Sequence, residues 1–142
     1  MNNRNQEMIQ DFGKRPLIIN IDKATKLNRN FRTALWTGTH MQVTLMSIPV
    51  GGEIGLEMHP NIDQFIRIEE GCAFVMMGKS KNCLNYCKHV DSNYAIIIPH
   101  RTWHNIINTS KTPLKLYSIY APPQHPFGTI HRTIKEAQLA EK

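Results

Sequence analysis

Cysteine is scarce in this chain. Cys72, Cys83 and Cys87 make an odd set that excludes a disulfide framework and agrees with a reducing compartment. No apolar run approaches the roughly 20 residues of a membrane helix, and the opening MNNRNQEMIQ lacks the apolar core of a secretory leader. A cytoplasmic location without a membrane partner is therefore expected. Fixed-period repeats, low-complexity tracts and Gly/Ser linkers are also missing, which leaves one domain with one core. Clustered charge is lacking as well. The net charge is +6, and residues 1–32 hold four of these six excess charges through Arg4, Lys14, Arg15, Lys23, Lys26, Arg29 and Arg32 against Glu7, Asp11 and Asp22. They form no basic stripe, helix-turn-helix or zinc-finger pattern, which argues against nucleic acid as a partner.

What is present is a globular composition, 41% apolar and 20% charged. From Ala34 onward, short β-branched runs alternate with turn signals such as Pro49-Val50-Gly51-Gly52, Gly71, Asp91-Ser92-Asn93 and Asn108-Thr109-Ser110-Lys111. Strands are expected near 34–37, 40–48, 53–59, 63–70, 72–77, 83–90, 94–98, 102–108 and 114–121. An N-terminal arm over 1–33 carries at most a strand at Leu17–Ile21. A tail over 122–142 ends in a short helix within Thr133–Lys142, a segment rich in Ala, Glu, Gln, Leu and Lys.

The chemistry concentrates in two stretches. Glu57 and His59 stand two apart on an expected strand, so their side chains leave one face with Cα atoms roughly 6.6 Å apart and can meet on one ion. After the turn at Pro60-Asn61, Gln64 shares a face with Ile66 and Ile68, while Asp63, Phe65 and Arg67 take the other. In the second stretch His104 alternates inward with Ile106. Either histidine alone reads best as a packed core residue; their joint spacing with Glu57 points to a metal site. Cys83, Cys87 and His89 do not, because on an extended strand the two thiols lie roughly 13 Å apart. His125 and His131 belong to a tail laid over the barrel or over a partner subunit.

These spacings resemble the two motifs of the cupin superfamily. Gly51, Glu57, His59, Gln64 and Gly71 fall on the first, and Pro99, Arg101, His104 and Asn108 on the second. Glu57 stands where the family has a histidine, Gln64 where it has a glutamate, and Arg101 where it has a glycine, which argues against a positive φ at that turn. The resemblance covers roughly residues 34–121. It implies an all-β double-stranded β-helix, the jelly-roll barrel, followed by a short C-terminal helix.

It also implies one divalent metal held by Glu57, His59, Gln64 and His104, and a homodimer. The mixed N/O donor set suits Zn, Mn, Fe, Ni or Co. The chain is similar, more narrowly, to small single-domain cupins of the mannose-6-phosphate isomerase-like kind. The implied activity is a metal-dependent isomerase acting on a small sugar or sugar phosphate, with the ion as Lewis acid. An iron-dependent dioxygenase and a non-catalytic small-molecule sensor are the alternatives. Arg67, His100, Arg101, Tyr117 and Tyr120 are candidates to line the mouth and hold the small-molecule ligand. No general base and no organic cofactor site are identified.

Overall fold

The computed structural model describes residues 10–141; positions 1–9 of the expected arm and Lys142 of the expected terminal helix lie outside the described residues. The chain runs through α1 (Ile21–Leu27), β1 (Arg32–Thr37), β2 (Gln42–Ile48), β3 (Asp63–Glu70), β4 (Ala73–Gly78), β5 (Tyr86–Val90), β6 (Ala95–Ile98), β7 (Trp103–Asn108), β8 (Leu114–Ala121), β9 (Ile130–His131) and α2 (Ile134–Ala140). A six-stranded sheet in the order β6-β3-β8-β2-β1-β9 faces a three-stranded sheet β5-β4-β7, with every named pairing antiparallel. This is the expected all-β jelly roll with its short C-terminal helix.

Strand register decides what the interior contains. Across the large sheet Ile48 opposes Leu114, while Met46, Leu116 and Ile68 form one row; Thr44, Ser118 and Ile66 form the next, and Gln42, Tyr120 and Gln64 the last. Directly opposed residues share a face, so each row projects inward together. One end of the barrel is therefore oily. Ile48, Ile66, Ile68, Leu114 and Leu116 are fully buried there and pack with Val75 and Ile106 of the small sheet, each side chain worth about 1.5–3 kcal/mol of transfer free energy. The other end is filled with amide, hydroxyl and phenol groups.

The outer face of the large sheet is covered by the N-terminal segment. Phe12, Ile21 and Ala24 pack on Leu35, Val43, Leu45 and Tyr117. The strand expected at Leu17–Ile21 is not formed, and a helix begins at Ile21 instead. Asn20 caps it by accepting from the Lys23 N–H at 3.0 Å, and Asp22 pairs with Lys26 at 3.2 Å, two local features that favour a helix.

The strand expected at 53–59 is also absent as a regular element. Residues 52–57 run beside β7 in two registers: Glu53 opposes Ile107, but Glu57 opposes His104, so the segment holds one extra residue. Gly55 absorbs it at φ 103°, and its N–H bonds to the Asn105 side chain at 2.9 Å instead of the ladder.

Asn108, at the end of β7, fastens the oily end. Its side-chain amide donates to the carbonyls of Ile48, Pro49 and Thr112, and its oxygen accepts from the N–H and hydroxyl of Ser110. Because these carbonyls are held by one buried side chain, Asn108→Ala is expected to lower stability by about 2–3 kcal/mol. Urea denaturation reads it; an unchanged midpoint would show that the loops hold themselves.

Candidate functional site

Glu57 and His104 exchange both backbone hydrogen bonds, at 3.0 and 2.9 Å, so their side chains leave one face side by side. The His104 ring is 1% exposed. Its Nδ1 lies 2.9 Å from the Thr102 carbonyl, which can only accept; Nδ1 therefore carries a proton and Nε2 is turned into the barrel, 3.3 Å from Glu57 Oε2. His59 enters from the loop after Glu57, its carbonyl held at 2.8 Å by the Arg101 N–H. Its Nε2 is 3.6 Å from the same carboxylate oxygen, buried and without a hydrogen-bond partner. One donor atom from each of Glu57, His59 and His104 falls within 4.8 Å of the others. Burial works against charge on Glu57, but the two imidazoles outweigh it and hold the carboxyl down to about 2.

Gln64 lies in the same polar row of the interior, opposite Tyr120, whose ring is 5.9 Å from that of His59. Its amide nitrogen donates to the Ser118 hydroxyl at 2.8 Å, which leaves the amide oxygen buried and unpartnered. Tyr120 is fully enclosed, and burial keeps its hydroxyl protonated against the pull of Arg32.

Four further groups come from outside the motif stretches. Gln42 grips the loop after β8: its nitrogen donates to the His125 carbonyl, and its oxygen accepts from the N–H groups of Gln124 and His125. That grip sets the His125 ring 5.3 Å from Tyr120, with Nε2 buried and unpartnered. His131 follows on β9, its ring 6.2 Å from His125. Arg32, opposite His131 in the ladder, places Nη1 3.0 Å from His131 Nδ1.

Of the residues expected at the mouth, Tyr120 alone joins this interior. Tyr117 is on the opposite face of β8, its ring 6.5 Å from Phe65 in the outer cluster. Arg67 is on the outer face of β3, bonded to Asn93 at 2.9 Å and 3.9 Å from Glu69. His100 is exposed and turned to the Pro60 carbonyl. Arg101 is exposed too and does adopt φ 65° despite its side chain, so the turn keeps a glycine-like shape and its N–H reaches His59. All three cysteines are exposed and free. Among the described residues, the Glu57–His59–His104 group is the metal-compatible cluster of His, Cys, Asp and Glu.

A model of the cupin domain matches residues 44–120, more than half of the chain. The chain belongs to the cupin family. An uncharacterized Bacillus subtilis protein, YrkC, is 60% identical over 134 residues, 94% of this cupin and 72% of that protein. An uncharacterized protein of Acanthamoeba polyphaga mimivirus, L612, is 44% identical over 115 residues, covering 80% and 69%. The crystal structure of BH2720 from Bacillus halodurans superposes with a TM-score of 0.91 at 57% identity, over 92% of this cupin and 99% of that chain. Arg32, His125 and His131 lie outside the matched segment. No local motif marks them: Arg32 meets His131 across 99 residues of sequence.

Burial first, and Arg32 second, push the His125 ring from its ordinary 6.5 down to about 3. An unfolded chain takes up this proton below pH about 6.5, whereas the folded one resists until about 3, so the fold loses stability as pH falls through that window. His125→Gln is expected to weaken this acid sensitivity, measured as urea midpoints from neutrality to pH about 4. Midpoints that fall in parallel in both proteins would show that His125 does not contribute.

Proposed function

We propose that this cupin holds one divalent metal ion through Glu57, His59 and His104, with the Gln64 amide oxygen as a fourth donor, and acts on a small polar metabolite inside the barrel. The observation that carries the reading is the convergence of three donor atoms within 4.8 Å, in which the buried His59 Nε2 has no protein partner. The donor set fits such an ion. The Thr102 carbonyl fixes the His104 ring with Nε2 aimed at the cluster, Glu57 stays ionised, and the carbonyl behind His104 is the outer support that ligating histidines use. The nitrogen and oxygen donors suit Zn, Mn, Fe, Ni or Co. When bound, such an ion supplies a Lewis acid able to polarise a carbonyl group.

The finer reading is an aldose–ketose isomerase. It is supported by the unpartnered His125 Nε2, a neutral ring nitrogen in the interior that can hydrogen-bond a hydroxyl of a bound sugar. The Tyr120 ring stands between the two histidines, 5.3 Å from His125 and 5.9 Å from His59. A homodimer and a cytoplasmic location belong to the same proposal. The edge strand β5, exposed from Tyr86 to His89, gives one sheet margin in need of cover, and the free thiols suit a reducing compartment.

Elemental analysis is expected to find about one metal ion per chain in the wild type and a loss of it in Glu57→Ala, His59→Ala and His104→Ala. Wild-type protein that stays empty after incubation with each of the five metals would refute the metal site. Metal-loaded protein should wash solvent deuterium into aldose or ketose substrates; oxygen uptake that requires iron, without such exchange, would replace isomerisation by dioxygenation.

A further inference from the structure

The unpartnered buried atoms of this barrel divide by chemistry. Gln64 Oε1 and His59 Nε2 are acceptors or lone-pair donors suited to a cation, whereas Arg32 Nε is an obligate hydrogen-bond donor and Thr44 Oγ1 carries a hydroxyl hydrogen. Arg32 is 2% exposed and cannot shed its charge, so its burial is costly unless something negative meets it. None of the ion pairs among the described residues includes it. Its neighbours provide partial relief only. Phe31 lies under the guanidinium at 5.3 Å, and His131 accepts from Nη1.

We propose that Arg32 is the anchor of an oxyanion subsite in the barrel, and that the metabolite of this cupin carries a carboxylate or phosphate group. Because His131 Nδ1 takes the Nη1–H, the plane of the guanidinium is held. Its Nε edge, the edge that pairs side-on with two oxygens, is left open. Thr44 lies on the inner face one position away: it opposes Ala34, while Arg32 opposes the neighbouring Met46. Its hydroxyl, a neighbour of the Tyr120 hydroxyl, can donate to the same anion.

Neighbouring side chains link the anchor to the metal-compatible cluster, from Arg32 to His131, then His125, Tyr120 and His59. A ligand held by its anion at Arg32 would thus extend past His125 toward Glu57, His59 and His104. The subsite deepens the proposed function by naming the substrate class, and rests on that reading only in placing the reacting end at the cluster. Arg32 and His131 fall outside the segment 44–120 that matches the cupin model, so the subsite is an addition of the flanking strands.

Inorganic phosphate and acetate serve as probes, titrated calorimetrically into metal-free and metal-loaded protein, with the Arg32 Nε–H resonance followed by nitrogen-resolved NMR in the wild type. Saturable binding of one of them is expected, with a shift of that resonance and a loss of about ten- to a hundredfold in affinity in Arg32→Gln. Arg32→Lys, which keeps the charge and loses the fork, should fall between. The stronger probe distinguishes a phosphate from a carboxylate. The subsite is overturned if neither anion binds, if binding leaves the Arg32 resonance in place, or if folded Arg32→Gln binds as the wild type does. Should the variant not fold, the resonance decides. Anion binding in a protein that takes up no metal would refute the metal site and leave the subsite standing; metal uptake without anion binding would do the reverse.

Discussion

The antiparallel register of β2, β8 and β3 is the constraint from which the rest of the molecule follows. Three strands locked in one phase send Ile48 and Leu114, then Met46, Leu116 and Ile68, into the space between the sheets, and two residues further on send Thr44 and Ser118, then Gln42, Tyr120 and Gln64, into the same space. A slip of one residue on any strand would exchange buried and exposed sets. The oily end is what makes that phase stable, and the polar end is carried with it. Stability and chemistry are thus adjacent stretches of the same strands, which explains how groups as awkward to bury as Arg32 and Glu57 persist in the interior.

Most of the architecture was legible because it is written locally. β-branched runs between Gly, Asn and Asp turns locate the strands from Ala34 to Ala121, and the two motif stretches bring Glu57, His59 and His104 to one place. What failed to show was long-range or was decided by a single residue. In the sequence Arg32 is one of the scattered cations of residues 1–32, two positions before the expected strand at Ala34, and nothing nearby announces His131 as its ladder partner. His125 shows in the sequence only as part of a tail laid over the barrel or a partner subunit, because the grip of Gln42 is a contact across 83 residues. Strict alternation separates Arg67 from Gln64 on β3, and the same rule separates Tyr117 from Tyr120, three positions apart on β8. The helix at Ile21–Leu27 had a readable signal in Asn20 and Asp22, which the apolar run Leu17–Ile21 obscured.

The two ends of the chain are tied into this interior by side chains. Asp11 accepts from the N–H groups of Gly13, Thr37 and Gly128 and from the Thr37 hydroxyl, joining the N-terminal segment, β1 and the loop before β9. Gln42 binds the preceding turn of that loop. The segment shared with the cupin family thus provides the cation-suited atoms, while the flanking segments, pinned by one carboxylate and one amide, bring the cationic and neutral nitrogen groups that face them.

The extra residue at Gly55 has a consequence of its own. In the phase that holds at Glu53 and Ile107, the residue opposite His104 would be Leu56; after the bulge it is Glu57. Were the same residues laid in a regular ladder, without the kink at Gly55, a hydrocarbon would seat against the histidine and the carboxylate would turn to the outside, with every chemical group of the cluster still encoded. For this part of the barrel what must be inherited is the kink, a property of the backbone that an inventory of the cluster's side chains does not contain.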